Sequence, residues 1–193
     1  MLAVSFLKED ILKVESDEQL MQRVQAGDAL AYDQLVRRHA DRFRLLAIRT
    51  LGNTALAEDM VQECFVKLWT RPQSFDAEKS KFTTWFYRVV VNRCLDEKRR
   101  KSPAQMPEGF DKADDRVTAD KAIENNQATA HIHKAVNSLK ENQKLAVTLC
   151  YFDGLSNAEA AEIMGLKVKA LESLLVRARA KLRDTIAKGR SEV

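Results

Sequence analysis

The residues that could do chemistry fall into two clusters. The first is a segment in which Phe82, Trp85, Phe86 and Tyr87 are followed by Asn92, Arg93 and the run Lys98-Arg99-Arg100-Lys101. Aromatic rings stack on unpaired bases at roughly 1–3 kcal/mol each. Asn and Arg hydrogen-bond base edges, and a Lys/Arg run meets phosphates. This order of residue types fits nucleic acid. The plain alternative is a ring-filled core followed by a solvated basic helix end. The second cluster follows Val168. With Val168, Leu171, Leu175, Ala178 and Leu182 turned inward, Lys169, Ser173, Val176, Arg177 and Ala180 fall near the opposite face of a helix. Lys169 and Arg177 suit phosphates or guanine edges, Ser173 suits either, and Val176 suits a thymine methyl. Arg179, Lys181 and Arg183 add flanking charge. The alternative here is a helical hairpin with a solvated basic face. No catalytic constellation accompanies the clusters: there is no Ser/His/Asp set, no metal-ligand cluster and no phosphate loop. His131-Ile132-His133 has no cysteine near it in sequence. The expectation is a protein that is not an enzyme and holds no metal or cofactor.

Helices must position both clusters. From Ala57 to Trp69, Met60, Val61, Cys64, Phe65 and Leu68 share one face, and Glu58, Asp59, Gln62, Glu63 and Lys67 take the other. Arg71-Pro72 through Ser80 breaks the helix with Pro, Ser and Asp. That break offers a pocket for an extruded base, whose unstacking costs a few kcal/mol that stacking offsets. Some of the rings after it must pack in the core, and Trp85 is the first candidate. Upstream, Ser16 or Asp17 caps a helix carrying Leu20, Met21 and Val24, and Gly27-Asp28 ends that pattern. A second helix buries Tyr32, Leu35, Val36, Phe43, Leu46, Ala47 and Leu51 and stops at Gly52-Asn53. Downstream, residues 102–127 hold two of the 3 prolines, several acids and little periodic apolar content, so they read as a linker, partly extended. Periodicity returns with Ile132, Val136 and Leu139, then with Leu145, Val147, Leu149, Cys150 and Phe152. Asp153-Gly154 ends that stripe, and Ser156 with Glu159 forms a capping box for the next helix. The tight turn Gly165-Leu166-Lys167 then leads into the longer helix after Val168. Helix, short glycine turn and longer helix make a helix-turn-helix pattern. The expected domains are 17–101 and 128–188, with an extension at 1–16, the linker at 102–127 and a tail at 189–193.

Composition sets the frame. The 193 residues are 45% hydrophobic and 31% charged, ordinary for a soluble globular chain, and Pro and Gly are scarce at 3 and 6. With period-3.6 patterning throughout and no convincing alternating strand, the fold class is all-α. A net charge of +4 is small for a protein that coats DNA nonspecifically, so part of the affinity comes from elsewhere. Cys64, Cys94 and Cys150 lie far apart in apolar helical contexts and read as buried reduced thiols in a reducing cytosol. No apolar run approaches the ~18–20 residues of a membrane span. The N-terminal MLAVSFLKEDILK reads as neither signal peptide nor span.

Several motifs resemble a known family. AEDMVQECFVKLW followed by FTTWFYRVVVNRCLD resembles conserved region 2 of bacterial sigma-70-type initiation factors, most closely the short extracytoplasmic-function (ECF) group. QAGDALAYDQLVRRH is similar to the opening helices of that region. DGLSNAEAAEIMGL followed by ALESLLVRARAKLR resembles sigma region 4. The chain departs from the pattern at Glu172 and Leu174, where many ECF members carry basic residues. The resemblance covers roughly residues 16–187. It implies two small helical domains, a region 2-like bundle and a region 4-like helix-turn-helix, joined by a linker that threads toward the polymerase active site. It implies that Asp59, Gln62, Glu63, Lys67 and Trp69 bind core RNA polymerase. It implies that Lys81, Phe82, Thr84, Trp85, Tyr87, Arg88, Asn92, Arg93 and Arg99 capture and melt the −10 element of promoter DNA. Lys167, Lys169, Ser173, Val176, Arg177 and Lys181 would read the −35 element. The polymerase would do the chemistry, in the cytoplasm, and an anti-sigma factor would be a further partner. Two rival readings use fewer of these features. A stand-alone helix-turn-helix regulator of duplex DNA leaves the Ala57–Trp69 polar face and the aromatic cluster without a purpose. A helical protein–protein adaptor does not need two separate basic readers.

Overall fold

In the computed structural model, residues 15–100 and 135–190 are described, with side chains to 187. The 102–127 linker, the His131-Ile132-His133 run, most of the expected N-terminal extension and residues 191–193 lie outside the described residues. The elements are α1 (Asp17–Gln25), α2 (Ala29–Leu51), α3 (Thr54–Thr70), a 3-10 turn (Pro72–Ser74) and α4 (Phe82–Arg100). After residue 135 come α5 (Glu141–Val147), a π-helical turn (Thr148–Phe152), α6 (Asn157–Met164) and α7 (Val168–Arg190). The described residues contain no strand. Most boundaries are set locally. The Ser16 hydroxyl accepts from the Gln19 N–H, and the Gln19 side chain reaches back to the cap. Asp28 and Asn53 cap α2 and α3. Gly52 ends α2 at φ 73°, a left-handed conformation that glycine adopts without steric cost. Ser156 and Glu159 form the expected capping box of α6. One boundary is set from a distance: Glu18 on α1 accepts the Phe82 N–H at 3.0 Å, satisfying a donor at the start of α4.

The first domain packs α1, α3 and α4 around α2. Phe43 is its hub, with ring centroids 4.8 Å from Phe86 and 4.9 Å from Tyr87. Phe82 stacks on Phe86 at 5.5 Å. The expectation that Trp85 is the core ring is corrected. Phe82, Phe86 and Tyr87 are fully buried, whereas Trp85 is half-buried against Phe75 at 5.3 Å. Each residue turns a helix by about 100°, so the Phe82–Phe86–Val90 ridge that meets α2 leaves Trp85 toward the outside.

The second domain is built on Leu145, Leu149, Ala161, Ile163, Leu171, Leu175 and Ala178, all buried. Here two expected core residues are corrected: Phe152 is 44% exposed and Val168 is exposed, while Cys150 and Leu182 are half-buried against the core. The π-helical turn, in which the Asp153 N–H bonds Thr148 O, carries Phe152 out of the 3.6-residue phase that the stripe assumed. Val168 is the first residue of α7, beyond the packed turn. The two domains touch: α6 packs on α4, and α5 and the π-helical turn pack on α2. Cys64 and Cys94 are buried as expected, and burial pushes their thiols up to about 11 and about 12, so they stay protonated and inert. Among the described residues, no helix is long and apolar enough to cross a membrane.

Candidate polymerase and nucleic-acid surfaces

Asp59, Gln62, Glu63 and Lys67 line one open groove of about 690 Å³ beside α4, with Val66, Arg93 and Glu97 on its walls. Trp69 lies outside this groove and packs on Tyr32 at 5.1 Å. The polar face is tied to its neighbour. Arg93 Nε donates to Glu63 at 2.7 Å and Arg93 Nη1 to Glu97 at 3.2 Å, while Arg100 also donates to Glu97 at 2.8 Å. Glu97 is 1% exposed, and Arg100 first, then Arg93, holds its carboxyl below the usual range against the effect of burial. Arg93 likewise lowers Glu63. Glu63 and Arg93 therefore cross-brace α3 and α4. Arg93, expected on DNA, faces α3 because an arginine over a buried glutamate is the arrangement that keeps that charge compensated.

The remaining residues expected at the −10 element divide by face. Lys81, Arg88, Asn92 and Arg99 are exposed and Trp85 is half-buried. At 100° per residue these five lie within about 60° of one another, forming a single stripe along α4. Phe82, Thr84 and Tyr87 are buried instead. Their positions on the helix turn them toward the packed elements, so in this structure they present no open face to a base. The Tyr87 hydroxyl donates to Asp153 Oδ2 at 3.2 Å, and the Arg42 guanidinium sits over its ring at 5.1 Å. Burial pushes the Tyr87 phenol well above its ordinary value. At the helix entry, the break from Arg71 to Ser80 is clamped by a residue that the sequence reading missed. Gln25 Nε2 donates to Pro72 O at 3.1 Å and to Phe75 O at 2.9 Å. No local pattern marks Gln25, since its partners lie almost 50 residues along the chain.

On α7, Lys169, Ser173, Val176 and Arg177 share a shallow groove of about 540 Å³ with Glu172. Val176 is 56% exposed. The Ser173 hydroxyl donates to Lys169 O at 2.9 Å, and Arg177 Nε donates to Ser173 O at 3.1 Å. Lys167 is exposed in the turn before α7. Lys181 departs from the expectation: its ammonium donates to Ser138 O, joining α7 to the segment ahead of α5.

Comparison with known proteins bears on these surfaces. A model of sigma-70 region 2 matches residues 35–103, and a model of sigma-70 region 4 matches residues 130–182. The chain is 35% identical over 174 residues to the ECF RNA polymerase sigma factor SigE of Mycolicibacterium smegmatis, a match that takes in 86% of this chain and 66% of that protein. It is 31% identical over 180 residues to the RNA polymerase sigma-H factor of Pseudomonas aeruginosa, taking in 88% of this chain and 93% of that protein. Among solved structures, it is similar to CnrH in complex with the cytosolic domain of CnrY, at 27% identity and a TM-score of 0.68, over 90% of this chain and 99% of that one. With the region 2 and region 4 models in this order, and with ECF sigma factors of 30–31% identity matched over 94–95% of their length, the chain belongs to the sigma-70 family, in its ECF group.

Proposed function

We propose that this chain is the specificity subunit that core RNA polymerase takes up to begin transcription at chosen promoters, and that its surfaces divide the work. The first domain docks on core polymerase through the groove of Asp59, Gln62, Glu63 and Lys67. The stripe Lys81, Trp85, Arg88, Asn92 and Arg99 receives the separated −10 strand, with the Arg71–Ser80 break as the pocket for an extruded base. The face of Lys169, Ser173, Val176 and Arg177 reads the −35 duplex in the major groove. The polymerase performs the chemistry, and the protein acts in the cytoplasm beside it. An anti-sigma factor restrains it, as the family resemblance implies; CnrH, to which the chain is similar, is solved in complex with a second protein, the cytosolic domain of CnrY.

The observation that carries this reading is the α4 stripe: a half-buried tryptophan flanked by exposed Lys, Arg and Asn on the domain that also carries the α3 groove. A stand-alone duplex regulator needs neither. The deciding experiment is transcription of fragmented genomic DNA from the source organism by purified core polymerase, with and without this chain. New start sites that share a −10 and −35 pair and require the chain are expected. The same set of start sites in both reactions would refute the reading. Within that assay, Asp59→Arg weakens capture of core polymerase while leaving the fold intact, because Asp59, unlike Glu63, takes no part in the Arg93 brace.

A further inference from the structure

We infer that Glu172 sets one base of the duplex that α7 reads: its carboxylate accepts from the exocyclic amine of a cytosine in the major groove, so this chain prefers promoters with a C at that −35 position. This rests on the function proposed above and goes beyond it by assigning a base to a residue. Glu172 is exposed and lines the same shallow groove as Lys169, Ser173, Val176 and Arg177. It is the fifth residue of α7, which begins at Val168, and so lies within the first two turns, the part of a recognition helix that meets base edges. Turning about 100° per residue, the helix places Glu172 about 60° from Lys169 and about 40° from Val176, on the reading face. The fold gives this carboxylate no other task. The helix dipole favours acids in the first turn, and α7 has none there. One turn away stand Val168, Lys169, Leu175 and Val176, so Lys169 is the single cation in helical reach. No hydrogen bond or ion pair joins Glu172 to Lys169 or to any other described residue.

The chemistry of the groove selects the base. Phosphates repel an unpaired carboxylate, so on a DNA-facing helix it has a favourable place only over a base edge that offers a donor. An ionised carboxylate accepts and never donates. Guanine presents N7 and O6 and thymine presents O4, all acceptors, which repel it. Adenine offers its N6 amine, but that amine lies between two acceptors, its own N7 and the paired thymine's O4. Cytosine's N4 amine has an acceptor on one side only, the paired guanine's O6, and a C–H on the other. A glutamate therefore takes cytosine and is turned away from the other three bases by charge rather than by shape. The face reads with both signs: Lys169 and Arg177 draw phosphates or guanine acceptors, and Glu172 admits an amine. A basic residue at position 172 would have the opposite preference.

The test is transcription of a promoter library by core polymerase with the full-length chain. The −35 element found by start-site mapping is randomised, the rest of the promoter is constant, and each template carries a transcribed barcode. Sequenced transcripts are compared for wild type, Glu172→Gln and Glu172→Ala. Wild type is expected to favour C at one position by about tenfold over each other base. Glu172→Gln is expected to move that preference to A, since a glutamine amide accepts from N6 and donates to N7, and Glu172→Ala to level it to within about twofold. Preferences at the other positions stay as in wild type. Because position 172 is exposed and unpaired, the helical circular dichroism of both variants is expected to match wild type. A C preference that survives in both variants, or a wild type with no C preference at any position, would overturn the assignment and leave the proposed function standing. So would an equal change at every position, which a general gain in phosphate affinity produces. If no member of the library gave a transcript that requires the wild-type chain, the proposed function would fall and this inference with it.

Discussion

The two domains hold their working residues in opposite ways. In the first, the polymerase groove and the break before α4 are braced from elsewhere in the chain. Arg93 is fixed by Glu63 on α3, Gln25 on α1 clamps the Pro72–Phe75 turn, and Glu18 caps α4. In the second, Ser173 and Arg177 bond to the backbone of their own helix. The first surface is therefore organised before it meets a partner. The second keeps side-chain freedom that binding must remove, at about 0.5–1.5 kcal/mol per side chain. The contrast follows from the targets proposed for them. A melted strand has little shape of its own and needs a rigid receiver. A duplex brings a rigid groove and tolerates a reader that adjusts.

The largest effect should come from breaking the braced domain at its hub. Phe43→Ala is expected to cost about 3–5 kcal/mol. Both tryptophans, Trp69 and Trp85, lie in that domain, so their fluorescence in a urea titration reports on it. Leu171→Ala, a comparable truncation in the second domain, should leave the tryptophan transition nearly unmoved. Equal shifts would mean the domains unfold as one body and would erase the contrast.

The next effect separates bracing from reading. Arg93→Ala removes the partner of Glu63 and one of the two arginines over buried Glu97. A stability loss of roughly 1–3 kcal/mol is expected with no DNA present. Arg177→Ala should stay within about 0.5 kcal/mol of wild type in the same titration. Its effect belongs to recognition: a loss of about 1–3 kcal/mol in discrimination at one −35 position, with core capture spared. Asn92→Ala, on the α4 stripe, should leave promoter binding by the holoenzyme close to normal and reduce permanganate reactivity of the −10 thymines. Normal melting by that variant would count against the stripe as a strand receiver.

The smallest effect is electrostatic, and it differs in sign between two aspartates. Burial pushes Asp17 up, but hydrogen bonds from His39 and Arg38 outweigh it and hold the carboxyl below its ordinary value. Its stabilising contribution is thus full above the unfolded carboxylate pKa of about 3.9 and fades as pH falls through the lower folded value. Asp153 is raised, chiefly by burial, with Arg49, Tyr87 and Arg42 opposing the shift. Its penalty is absent below the unfolded pKa and sets in as pH rises through the raised folded value. On acidification, the melting temperature should therefore fall less steeply in Asp17→Asn than in wild type, and more steeply in Asp153→Asn.

The sequence by itself determined what is local. Capping at Ser16, Asp28, Asn53 and Ser156, the glycine stop at Gly52, and the buried stripe of α3 all follow from interactions within four or five residues of chain. The two-cluster organisation and the groove residues Asp59, Gln62, Glu63 and Lys67 are legible for the same reason, because helical spacing alone brings them to one face. The tertiary structure decided everything that depends on what lies opposite. A ring's type does not say whether a neighbouring helix covers it, so Trp85 and Phe82 exchange the places that composition suggests. Charge type does not distinguish a reader from a brace, so Arg93 and Lys181 are taken by Glu63 and by Ser138 O. The π-helical turn changes the phase of its own segment, and no 3.6-residue pattern can register that. Asp153 looks like an ordinary helix-ending residue until Tyr87, Arg42 and Arg49, which lie 66 to 111 residues away, close around it. Such contacts are fixed by the packing of whole elements, whose energy is collective and carries no signature in the neighbouring sequence.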